Sequence, residues 1–118
     1  MTEDEKEEKE LWQKIAVEQG EAKVEALIKL SYRAYNKGNN EECLALCETA
    51  KEEYEALGAA GSTTTMAHIY YGIAWSLHSL EKTDQAIEAM DKSLSLYREV
   101  GSAEQVVNAL KSEGDFWF

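Results

Sequence analysis

The sequence predicts an all-α protein of about six antiparallel helices. Three observations carry this. None of the 118 residues is proline, strand-like alternation is nowhere sustained, and one segment nearly repeats another. Residues 24–57 lie on residues 67–100 without a gap, an offset of 43. Leu27 and Leu30 fall on Tyr70 and Ile73, Ser31 on Ala74, Cys43 on Ala86, Cys47 on Met90, Ala50 on Ser93 and Tyr54 on Tyr97. A fixed period with matched large and small positions marks stacked repeats, in which no unit buries its apolar face alone.

Caps and breakers place the elements in order. Residues 3–18 form a first helix, ended by Gly20. Its start, Glu3 to Glu10, holds six acids and two lysines. Carboxylates there oppose the positive end of the helix dipole, and the run reads as a solvated helix end. The second helix runs from Glu21 to Lys37 and stops at Gly38-Asn39-Asn40, residues that tolerate left-handed backbone and can cap the next helix. The third spans Glu41 to Leu57. A small-residue loop, residues 58–65, offers Ser62 and Thr63 as caps for a fourth helix from Met66 to Leu80. The fifth starts at Thr83 or Asp84 and reaches Val100. Gly101 then stops it, and Ser102 with Gln105 has the capping-box spacing that opens a sixth helix to the end of the chain.

The repeated segments resemble tetratricopeptide repeats of the longer-helix variety. In that family one helix of each hairpin carries a large, large, small, aromatic series and the other a small, large, small series. The first copy, residues 24–57, matches with Leu27, Leu30 and Ser31, then Cys43, Cys47 and Ala50. The second, residues 67–100, matches with Tyr70, Ile73, Ala74 and Leu77, then Ala86, Met90 and Ser93. A partial third copy within residues 103–118 places Leu110, Gly114 and Trp117 in the first series. Departures are Ala34 at the aromatic place with Tyr35 one step later, Glu81 where the first copy has Gly38, Glu113 at a large apolar place, and the missing terminal proline. The resemblance implies one domain, residues 1–118, built as helical hairpins in a short right-handed solenoid. Small residues have a direct reason where two helices cross, because a larger side chain would force the axes apart.

His68, Tyr71, Trp75 and His78 follow at spacings of three and four, so they share one stripe of the fourth helix. The resemblance assigns that stripe to the concave groove, with Glu25, Ile28, Tyr32 and Tyr35 as its counterpart in the first copy and Asn108, Lys111, Asp115 and Phe118 in the third. Ile28, Tyr32, Tyr35, His68, Tyr71, Trp75 and His78 are therefore the expected partner-binding residues, since aromatic rings supply contact area with few torsions to freeze. The alternative is that another element, such as the first helix, folds across the stripe and makes it core. The lysine and asparagine set by which chaperone-binding members clamp a C-terminal carboxylate is missing, with only Lys29 and Lys111 near.

Cys43 and Cys47 stand one turn apart without further ligands at metal-binding spacing, so they read as reduced core residues, and no metal or cofactor is expected. No phosphate loop or nucleophile–base pattern stands out, which argues against an enzyme. Acids outnumber bases 23 to 12, for a net charge of −11. That disfavours nucleic acid and anionic membranes as partners. No apolar run has the length of a membrane span, and the acidic start is unlike a signal peptide, so a cytoplasmic location is expected. Phe116, Trp117 and Phe118, on a final helix with no partner helix to cover it, are expected either to tuck under the preceding pair or to join two copies as a homodimer. The function expected is a scaffold that binds a protein or peptide segment in an aromatic groove. The alternatives are an acidic inhibitor that mimics nucleic acid on a basic surface, and a helical domain with a small-ligand pocket around His68 and His78.

Overall fold

The computed structural model describes residues 2–58 and 62–117, which form six helices and no strand. These are α1 (Glu3–Val17), α2 (Glu21–Asn36), α3 (Asn40–Ala56), α4 (Thr63–Ser79), α5 (Thr83–Glu99) and α6 (Ala103–Trp117). Five begin within a residue of their sequence signals. The exception is α4, which starts at Thr63, three residues ahead of Met66. Ser62 takes its extended N-cap position. β-branched threonines are poor helix formers, but Thr63 and Thr65 are half-buried, and packing outweighs a propensity penalty of a few tenths of a kcal/mol, on the order of ~0.5 each.

The helices fall into two compact units, residues 1–61 and 62–118. In unit 1, α2 and α3 pack as an antiparallel hairpin. Val24, Leu27, Leu30, Ser31 and Ala34 of α2 are buried, as are Cys43, Leu46, Cys47, Ala50 and Tyr54 of α3. Lys23 closes the open end of the hairpin on Glu53 at 2.8 Å. On α2 also lies α1, which runs antiparallel to it and contributes no buried residue. Charge holds it there. Arg33 pairs with Asp4 and Glu7, and Lys37 with Glu8 at 2.8 Å and Asp4 at 3.8 Å. The acidic run is thus a docking face as well as a solvated end; Glu3 and Glu10 remain exposed.

In unit 2, α4 and α5 form the matching antiparallel hairpin and α6 packs beside them. Ile73, Ala74 and Leu77 of α4 are buried, with Ala86, Met90, Ser93 and Tyr97 of α5. Each falls on a buried residue of unit 1 at the 43-residue offset. Only Tyr70, opposite the buried Leu27, stays half-exposed, with the Lys92 ammonium 5.8 Å from its ring. Ala74, Ala86 and Ser93 have essentially no exposed surface, as expected where helices cross closely. The Ser93 hydroxyl donates to the Ala67 carbonyl at 2.8 Å, so the hairpin's small polar residue leaves no unpaired donor.

The hairpin turns repeat with the cores. After α2, Asn39 N–H donates to the Ala34 carbonyl and Gly38 N–H to that of Tyr35; after α4, Lys82 N–H donates to Leu77 and Glu81 N–H to His78. This is the Schellman closure, and it requires a left-handed residue just past the helix. Gly38 supplies it with φ 81°, whereas Glu81 is forced to φ 64°. A Cβ in that region costs about 1–2 kcal/mol. Glu81→Gly is therefore expected to stabilise the protein by ~1 kcal/mol, since part of the gain is offset by glycine's freedom in the unfolded chain. Urea unfolding measures it; a loss of stability would contradict this account of the turn.

Candidate functional site

The α4 stripe forms as its spacing predicts, and unit 2 gives each ring a different neighbour. His68 is at the surface, with Nδ1 2.6 Å from the hydroxyl of the buried Tyr97. Burial raises the Tyr97 phenol to about 12. It therefore stays protonated and donates to a neutral His68. Tyr71 reaches Ser112 of α6 at 2.9 Å. The Ser112 proton is committed to the Asn108 carbonyl, so Tyr71 is the donor. Trp75 meets Phe116 edge-to-face with centroids 5.0 Å apart, and His78 stacks on the same ring at 4.5 Å. Tyr71, Trp75 and His78 are each half-exposed. The His78 Nδ1 is buried and has no hydrogen-bond partner among the described residues.

The stripe thus has one walled side. The element beside it is α6, which runs in the same direction as α4, with Ser112 and Phe116 meeting Tyr71 and Trp75. Phe116 is only 4% exposed and so tucks into its own unit, which removes its ring from a self-association surface. Phe118 and the Trp117 side chain lie outside the described residues. The exposed apolar side of α6 is instead Val107 and Leu110, 49% and 47% exposed. Leu110 is at a place expected to be core, but among the described residues of unit 2 it is α5 and α4 that pack on α6, on the side of Ala109, Ser112 and Phe116. Glu113, at a large apolar place, is half-buried. Burial and the neighbouring Asp91 carboxylate both push its own carboxyl up.

In unit 1 the corresponding residues are spread along α2. Tyr32 stands 69% exposed, while Ile28 and Tyr35 are half-buried and Glu25 is in solvent. Tyr32 lines a groove of about 560 Å³ between α1 and α2, together with Glu7, Glu10, Leu11, Lys14, Lys29 and Arg33. Sequence reasoning missed this groove, because the residues of α1 and α2 that form it are far apart in the chain. The i, i+3, i+4, i+7 spacing of Glu7, Glu10, Leu11 and Lys14 was the available signal.

Cys43 and Cys47 are both buried thiols, in no disulfide among the described residues. The hydrogen bond between the two thiols, then burial, holds the Cys47 thiol far above its ordinary range, so it is a poor nucleophile. Among the described residues no three His, Cys, Asp or Glu side chains are grouped to hold a metal, and no helix is long and apolar enough to cross a membrane.

Burial lowers the His68 pKa below its usual value. The folded state then binds its proton less readily than the unfolded chain, whose histidine titrates near ~6.5. The contribution of His68 is full above that pH and is lost progressively as pH falls below it. NMR titration of the imidazole should give a midpoint below ~6.5. An unshifted midpoint in the wild type would contradict the geometry.

Compared with known proteins, the chain matches no family model, no curated protein and no solved structure.

Proposed function

We propose that this chain is a tetratricopeptide-like helical domain of the cytoplasm that binds a protein or peptide segment, without catalysing a reaction. One observation carries the reading. In each unit the large and small positions that match at the 43-residue offset form the core, while the stripe beside them leaves aromatic rings at or near the surface: Tyr32 in unit 1, and Tyr71, Trp75 and His78 in unit 2. Exposed aromatic rings on a rigid helical frame are what protein interfaces use as anchors. The α4 stripe also has a wall, since α6 fixes the rings of Trp75 and His78 through Phe116 and the hydroxyl of Tyr71 through Ser112. Held rings lose less entropy on binding.

The acidic-mimic alternative gains no support from α1. Asp4, Glu7 and Glu8 are neutralised by Arg33 and Lys37 of the same chain. The test is capture of partners from a cell extract by the wild type, Tyr32→Ala and Trp75→Ala. The expected partner is lost in at least one variant and retained when salt is raised from about 0.1 to 0.5 M, because contacts between apolar rings are little screened. An unchanged partner list in both variants would overturn the reading. Loss with salt alone would favour the mimic.

A further inference from the structure

The groove between α1 and α2 is lined by more cations than acids, in a protein where acids dominate. Its cations are Lys14, Lys29 and Arg33, and its acids are Glu7 and Glu10. Arg33 is already occupied by Asp4 and Glu7, which hold α1 in place. Of the remaining three, neither Lys14 nor Lys29 has a carboxylate within ion-pair distance among the described residues. They outnumber Glu10 by one. The half-buried Leu11 and the exposed Tyr32 line the same groove. A chain of net charge −11 thus carries a groove in which two lysines without an ion pair among the described residues stand with an apolar and an aromatic side chain.

We infer that this groove binds a peptide segment in which an aromatic residue is followed by an acidic one, the carboxylate received by Lys14 and Lys29 and the ring laid on Tyr32 and Leu11. Charge complementarity selects the acid, since a basic segment would face two unneutralised lysines. Tyr32 selects the ring, by stacking. The groove is partly open to solvent. Pockets for small molecules enclose most of the ligand, so an open groove fits a passing chain better. The inference deepens the peptide-binding reading for unit 1 and involves no residue of unit 2.

The test uses the full chain and four blocked dipeptides, acetyl-Phe-Glu-amide, acetyl-Phe-Gln-amide, acetyl-Ala-Glu-amide and acetyl-Phe-Lys-amide, titrated by amide NMR at about 20 mM salt, where surface charges are least screened. The Phe-Glu probe is expected to shift the amides around Lys14, Lys29 and Tyr32 with Kd on the order of 1 mM. The other three should bind several-fold more weakly. Lys14→Gln and Lys29→Gln should each weaken the Phe-Glu probe about two- to fivefold, the range of a single exposed ion pair, and leave the Phe-Gln probe unchanged. Equal binding of the Glu and Gln probes would overturn the acidic specificity while leaving peptide binding intact. No shift from any probe, or shifts confined to unit 2, would overturn the site itself. The Trp75→Ala capture experiment remains a separate test of the α4 stripe.

Discussion

Tyr97→Ala is expected to cost ~3–5 kcal/mol, the range for emptying a buried aromatic site, and to be the most damaging single truncation in unit 2. Tyr97 is among the largest fully buried side chains of the protein. Its ring meets His68 edge-on at 5.4 Å and its hydroxyl makes the 2.6 Å bond to His68 Nδ1. It therefore links the core of the α4–α5 hairpin to the first residue of the surface stripe. Alanine would leave a cavity among Ala67, Ser93 and their neighbours and release His68. Tyr97→Phe keeps the ring and should cost only about 1 kcal/mol, the net value of one hydrogen bond. Denaturant unfolding of the three proteins measures both. A Tyr97→Ala cost near that of Tyr97→Phe would mean that the ring is not a packing element.

Reversing two charges should have as large a structural effect at the other end of the chain. In Arg33→Glu combined with Lys37→Glu, α1 would present Asp4, Glu7 and Glu8 to new carboxylates, and α1 is expected to leave α2. Within unit 1 its apolar contacts are few, since none of its residues is buried and only Leu11 and Ile15 among its large apolar side chains are half-buried. Its 15 residues lie at the length, about 12–15, near which isolated helices are only marginal in water. The expected result is fast amide exchange throughout Glu3–Val17, reduced helical circular dichroism, and an intact α2–α3 hairpin. In the wild type the same release should begin as salt approaches about 1 M, where the screening length falls to about 3 Å. The hydrogen bond to Glu8 raises the Lys37 pKa, so its contribution is complete at neutral pH and is lost only as pH rises through that elevated value. Unchanged exchange in α1 of the double variant would show that Leu11 and Ile15 suffice to hold it. The same variant should abolish peptide binding in the α1–α2 groove, because one wall of the groove would be gone.

The stripe His68, Tyr71, Trp75 and His78 was legible because helical periodicity fixes which residues share a face. Its neighbours were not. Tyr71 meets Ser112 and His68 meets Tyr97, residues separated by 41 and 29 positions, and periodicity carries no information at that range. The same holds for Arg33 with Asp4 and Glu7, so an acidic run that reads as a solvated end became a docking face. Phe116 shows the limit of reasoning from type alone. An aromatic near an uncovered end can pack inward or outward, and Trp75 with His78 decided it by offering a flat pocket of rings.

By itself the sequence determined the six helices, their stops and the 43-residue correspondence of core positions. These depend on local signals: the left-handed residue after a helix, the capping spacing, and the period of large and small side chains. Tertiary structure alone decided that α6 walls the aromatic stripe, that Leu110 and not Phe116 faces solvent, and that α1 and α2 form a groove holding two lysines without an ion pair among the described residues. Those outcomes depend on which side chains meet across distant segments. Net charge and composition are sums over residues, whereas a binding surface is set by the few that folding leaves side by side.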